Sequence, residues 1–275
     1  MRDGRSQKIL TYAVLAIFAI VMVTPFYYMV ITSLKSNDEA SVPVIDLIVR
    51  HPTTLPYRDL LKGSLFLSSA INSLLVALAS TIGAMILCPL AGYAFAKHRF
   101  PGRDFIFVSL LATMMIPGTV LLVPGFLLFR DFGWLDTWLP LVVPGLGGVF
   151  GVFLSRQFIE KLPDSLIDSA KMDGLPEWGI FARIIMPLSK PLLATLAIFT
   201  FLGSWNSFLG PLIILQDERK FTLPLVIAML QGRFLGKENV QMAGAVMSIL
   251  PVLIIFFIFQ RQIVESLANT GLREG

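Results

Sequence analysis

Long apolar runs separated by short polar connections make up this chain. Six stretches (9–34, 71–96, 105–129, 137–155, 191–216 and 242–260) contain no Asp, Glu, Lys, Arg or His. A hydrocarbon core about 30 Å thick needs about 20 mostly apolar residues in a helix, and each stretch meets that length. The pattern predicts an all-α polytopic membrane protein with six transmembrane helices. Prolines 25, 89, 117, 124, 144 and 251 fall inside these runs. Membrane helices tolerate them because neighbouring helices satisfy the freed carbonyls. Small residues four apart, Ala79/Gly83 and Gly147/Gly151, suggest close helix contacts. The first run is too long for a cleaved signal and continues through Thr24, Pro25 and Phe26 with no small-residue cleavage site.

Composition narrows the class further. Of 275 residues, 55% are hydrophobic and 15% charged, against about 25% charged in ordinary soluble domains. Mean hydropathy is +0.77. Soluble, disordered, collagen-like and disulfide-stapled classes are excluded; Cys88 is the single cysteine. The net charge of +4 comes with no basic stripe and interleaved aromatics, so the expected large partner is the lipid bilayer and no nucleic acid is expected. Six crossings put both termini on one side. The N-terminus (Arg2, Arg5, Lys8) and the next same-side connection (Lys97, Arg99, Arg103) are densely basic, whereas the opposite 130–136 connection has Arg130 alone. By the positive-inside rule both termini are cytoplasmic. The chain then divides into 1–70 (first helix and an outer polar loop with Pro43, Pro52 and Pro56), 71–264 (a core of five helices with an inner loop at about 156–190 and an outer one at 217–241) and 265–275, a cytoplasmic tail.

The absence of charge within the spans bears on mechanism. Proton-coupled transport normally places an ionisable group in the bilayer, yet His51 and His98 both lie in connections. Sodium coupling through the carbonyls of broken helices stays open, as does a membrane assembly protein that transports nothing. No catalytic role is expected: there are no paired aspartates and no His-Glu-x-x-His pattern, and Ser204 lacks a span histidine as base. There is no P-loop, since the nearest string, Gly232 to Lys237, has the wrong spacing and continues with Glu238. If nucleotide drives this protein, another chain binds it.

The inner loop carries the densest local signal. Pro163, Asp164 and Ser165 mark a helix start, with Asp164 or Ser165 as the cap. Gly174 ends that helix and Pro176 opens a second, with Phe181, Ile184 and Ile185 on its apolar side. Ser169, Ala170 and Gly174 allow another surface to come close, and Asp168 and Asp173 suit a basic partner. Residue types alone leave open a docking surface or an ordinary solvated helix.

Asp168-Ser169-Ala170, Gly174, Ile184, Met186 and Pro187 resemble the Glu-Ala-Ala…Gly…Ile-x-Leu-Pro pattern of permease subunits of binding-protein-dependent ABC importers. Spacings are intact; Asp replaces Glu, Ser replaces Ala and Met replaces Leu, and the shorter Asp alters the reach of a partner salt bridge. Asn72-Ser73-Leu74, Ala91 to Ala96, Phe100-Pro101-Gly102-Arg103, Met115-Ile116-Pro117, Trp205-Asn206-Ser207-Phe208 and Phe221-Thr222-Leu223-Pro224 follow in the family's order. Together they look like the carbohydrate branch, similar to the smaller permease of maltose-type systems. The resemblance implies a bacterial inner-membrane sugar pathway and an ABC ATPase dimer docked on Asp168, Ser169, Ala170, Met172, Asp173 and Gly174. It also implies a second, different permease chain and an extracytoplasmic solute-binding protein. This chain would bind no cofactor and no metal, with ATP and Mg on the ATPase. Asn72, Trp205 and Asn206 are the candidates for the solute path, because amides and aromatic faces suit sugars.

Overall fold

The computed structural model describes residues 3–40, 46–62, 64–234 and 236–271. Arg2, Pro43, Arg273 and the end of the 265–275 tail lie outside the described residues. Among the described residues every regular element is helical. Three helices are long: Asp3–Ser33, Ser64–Lys97 and Glu238–Gly271. Each carries an internal proline, Pro25, Pro89 or Pro251, without ending there. At 1.5 Å per residue the Ser64–Lys97 helix is about 50 Å long, more than a hydrocarbon core requires.

Three of the six expected spans are not single helices. Run 105–129 is split into Arg103–Thr113 and Leu122–Asp131. Between them Met114, Met115, Ile116, Val120, Leu121 and Leu122 donate to carbonyls three residues back. Pro117 has no N–H to continue an α-helical ladder, so the run is apolar enough to cross yet lacks a continuous helix. Run 191–216 becomes Lys190–Trp205 followed by Leu209–Ile214. The first of these meets Glu177–Leu188 at a 79° bend flanked by Pro187 and Pro191. Run 137–155 is apolar but also interrupted: Leu139–Val142 tightens to a 3-10 turn at Val143–Gly145, and an α-helix resumes only at Val149–Ile159. Among the described residues four helical segments are long and apolar enough to cross a membrane, five if the bent pair is one span.

The chain forms two compact units: 1–67 with 226–250, and 68–225 with 251–275. In the first, the expected polar loop is structured, with helices Asn37–Ala40 and Leu55–Leu61. Pro56 opens the second of these in its first turn. Buried Asn239 donates to the Lys35 carbonyl (3.0 Å) and Asn37 Oδ1 (3.0 Å), and Lys35 Nζ donates to the Asp46 carbonyl (2.6 Å). In the second unit, the core gathers Tyr93, Phe95, Phe107, Ile159, Ile167, Ala170, Ile180 and Phe181. Of the small residues marked in sequence, Gly83 meets Leu146, and a Cβ on Gly151 would come within 2.6 Å of Cys88 Sγ. Ala79 is exposed and Gly147 has open space. Gly92, not singled out in sequence, lies against Ser155 and the Arg156 backbone.

Candidate functional site

The 160–190 loop is built as its residues suggest, with one substitution of partners. Its first helix spans Asp164–Met172 and starts from Pro163 without a side-chain cap. Asp164 instead meets Lys97 Nζ at 2.5 Å, and that hydrogen bond and charge hold its carboxyl below the usual carboxylate range. Lys97, only 8% exposed along its side chain, also donates to the carbonyls of Leu162 (2.6 Å) and Glu160 (3.3 Å). These carbonyls follow the Val149–Ile159 helix. One lysine at the end of a membrane helix thus satisfies a turn and fixes the start of the loop helix.

The other end closes on glycine. Gly174 has φ +78°; its N–H reaches the Lys171 carbonyl and that of Leu175 reaches Ala170, both at 3.0 Å. This is the Schellman arrangement, in which a left-handed residue lets two orphan carbonyls be satisfied. Pro176 then precedes Glu177–Ile180, and the helix widens to a π turn over Phe181–Ile185. Glu177 ties this segment down: Tyr93 Oη donates to it at 2.9 Å, Lys171 Nζ lies 3.0 Å away and His98 Nε2 3.5 Å away.

Of the six docking candidates, Asp168, Ser169, Met172, Asp173 and Gly174 are exposed. Met172 is 88% exposed, and so is most of the nearby Trp178. Ala170 is not on that surface. It is 4% exposed and packs in this chain's own core, so its small size fits the loop helix to the helices beneath. The anchors Lys97, Tyr93, Lys171 and Glu177 escaped the sequence reading. Their sequence signals were weak: a lysine closing an apolar helix reads as an orientation charge, and Glu177 reads as a first-turn acid.

The solute-path candidates separate. Asn72 is 7% exposed and its Nδ2 donates to the carbonyls of Arg219 (2.8 Å) and Phe221 (3.0 Å). Its neighbour Ser73 accepts from Leu223 N at 2.7 Å. This amide is occupied in holding the 217–223 segment. Trp205 is 3% exposed and stacks on Phe201 with ring centroids 5.8 Å apart. Asn206 is exposed, with Nδ2 on the Leu202 carbonyl at 2.9 Å, which leaves its Oδ1 as the accessible acceptor. The 217–223 segment has a second clamp in Asp136, which accepts from Gln216 N (2.9 Å), Asp217 N (3.0 Å) and Lys220 Nζ (2.6 Å). These bonds, led by the Asp217 N–H, pull its carboxyl down to about 2. Among the described residues no group of three His, Cys, Asp or Glu is placed to hold a metal.

Residues 88–269 match the family described as binding-protein-dependent transport system inner membrane component. The chain is 32% identical over 262 residues to the arabinooligosaccharides transport system permease protein AraQ of Halalkalibacterium halodurans, covering 94% of each. It is 30% identical over 272 residues to the lactose transport system permease protein LacG of Rhizobium radiobacter, covering 97% of each. A chain from the crystal structure of a bacterial ABC transporter involved in the import of the acidic polysaccharide alginate superposes with a TM-score of 0.84. There the identity is 27%, covering 95% of this chain and 98% of the other.

Proposed function

The chain belongs to the family of inner membrane components of binding-protein-dependent transport systems, and from that premise we propose that it forms part of the membrane path of an ABC importer for a sugar. The observation that carries the reading is the exposed Asp168–Gly174 surface on a helix held at both ends, by Lys97 at the start and by Gly174 and Glu177 at the finish. A loop so fastened transmits motion to the helices bearing its anchors, as rigid-body switching requires. An ATPase dimer, which carries ATP and Mg, docks on Asp168, Ser169, Met172, Asp173 and Gly174, with Ala170 supporting them from below. A second, different permease chain completes the pathway, and a solute-binding protein delivers the sugar from the opposite side. Both termini and the docking loop are cytoplasmic in the bacterial inner membrane. The sugar assignment is supported by the arabinooligosaccharide and lactose systems of its relatives.

Asp168→Lys and Gly174→Asp test the docking surface, because both positions are exposed. The expected result is loss of ATPase co-purification and of uptake, with this chain still in the membrane. Retention of ATPase binding and of uptake in both variants would remove the docking assignment.

A further inference from the structure

Between the Ser64–Lys97 and Arg103–Thr113 helices the chain doubles back through Gly102, at φ +79°. The apolar runs 71–96 and 105–129 flank this turn, so it lies where the chain leaves the bilayer and returns to it. A cavity of about 460 Å³ opens on the turn, lined by Arg99, Phe100, Gly102, Arg103, Asp104 and Phe105. Two guanidinium groups and two aromatic rings thus share one wall. Phe105 is 78% exposed, and exposed Ile106 and Val108 continue the apolar surface along the Arg103–Thr113 helix. Basic groups at a membrane surface attract anionic headgroups, and here a bare apolar face lies beside them.

The charges around the turn do not cancel. Lys97 is committed to Asp164 and to two carbonyls. Arg103 Nε and Nη2 donate to the Asp104 carboxylate at 3.0 and 3.3 Å, and Nη1 reaches the His98 carbonyl at 3.5 Å. Arg156 lies behind that pair. Its Nη2 is 3.6 Å from Asp104 Oδ1, and its Cζ stands 4.0 Å from the centroid of the Phe107 ring. Asp104 is therefore shared between two arginines, while Glu160 adds a more distant negative charge that acts on Arg103. Arg99 is exposed and, among the described residues, its side chain has no ion pair and no hydrogen bond. Three arginines thus surround one carboxylate, and the one with no partner faces the cavity.

We propose that this turn seats the headgroup of an anionic phospholipid, its phosphate on Arg99 and Arg103 and its acyl chains along Phe105, Ile106 and Val108. Guanidinium groups grip phosphate through paired N–H donors, and Arg99 offers its donors without losing a partner. Asp104 repels an anion, but its charge is already taken up by Arg103 and Arg156. A zwitterionic lipid brings an ammonium group that gains nothing from two guanidinium groups, so the seat selects by net charge. A free phosphate lacks the chains that would cover the exposed apolar face. This seat requires only that the chain lie in a membrane, and so stands without the importer reading.

A fluorophore at the seat tests it. Val108 is exposed and Cys88 is buried, so Val108→Cys takes a bimane label alone. The labelled full chain is placed in liposomes of equal parts phosphatidylglycerol and phosphatidylcholine, one or the other carrying brominated acyl chains that quench bimane. Quenching is expected to favour phosphatidylglycerol at least tenfold. An arginine near an anionic surface is worth about fivefold in affinity. Arg99→Gln should therefore cut the preference about fivefold, and Arg99→Gln with Arg103→Gln about 25-fold. Arg130→Gln removes an exposed arginine from another connection and should leave the preference intact. Inorganic phosphate, compared with chloride at equal ionic strength, should not reduce it. Equal quenching by the two lipids, an unchanged preference in Arg99→Gln, an equal loss in Arg130→Gln, or loss of the preference in phosphate would each overturn the proposal. If Arg103→Gln disturbs the turn, Arg99→Gln decides alone.

Discussion

Asn72 shows how a buried amide in an apolar helix is to be weighed. Both of its observed bonds go to backbone carbonyls of the 217–222 segment, leaving no N–H for a passing solute. Asn72→Ala leaves those carbonyls short of a donor, a loss of about 1–3 kcal/mol. The variant is expected to melt earlier and to be cleaved faster by protease within 217–222, with its solute preference unchanged. A changed preference at unaltered melting temperature would return Asn72 to the solute path. Asp136 binds the same segment. Its folded pKa of about 2 lies below the ordinary 3.8, so its stabilising effect is complete above about 4 and is lost as pH falls from about 4 to about 2. Protease protection of 216–220 should fall over that window in wild type and should lack that component in Asp136→Asn. A wild-type profile flat down to pH 2 would contradict the clamp.

At the scale of elements, the Asp164–Met172 helix depends on Lys97 more than on the ion pair it forms. Asp164 is 76% exposed along its side chain, and exposed pairs contribute about 0–1 kcal/mol. The two carbonyls that Lys97 serves lose their donor in Lys97→Met, at about 1–3 kcal/mol if they stay shielded from water. Hydrogen exchange across 163–174 should therefore rise clearly in Lys97→Met and little in Asp164→Asn; the reverse order would show that the ion pair holds the loop. This element was legible in sequence because its signals are local: a proline start, a glycine stop at φ +78° and exposed acids between them. Lys97 was not, because its partners lie more than sixty residues away. The same limit explains the split spans. Counting apolar residues measures transfer into lipid, whereas Met114 to Leu122 and Asn206 to Phe208 break on hydrogen-bond geometry.

For the molecule as a whole, the arrangement of charge makes sidedness the property on which the importer reading turns. The six apolar runs contain no Asp, Glu, Lys, Arg or His, so on the importer reading proposed above the driving energy enters through a loop. The docking loop must then share a side with the ATPase, and the 130–136 connection must face the other way. Asp131 and Asp173 are both exposed, and Cys88, the single cysteine, is buried, so it stays silent toward an impermeant maleimide. In intact spheroplasts Asp131→Cys should label at once, and Asp173→Cys only after the membrane is opened. Docking makes a second demand: in opened membranes the assembled complex should shield Asp173→Cys, and stripping the ATPase should expose it. Labelling of Asp173→Cys from outside intact cells would invert the chain and leave no place for a cytoplasmic ATPase on this loop, whatever sugar the path carries.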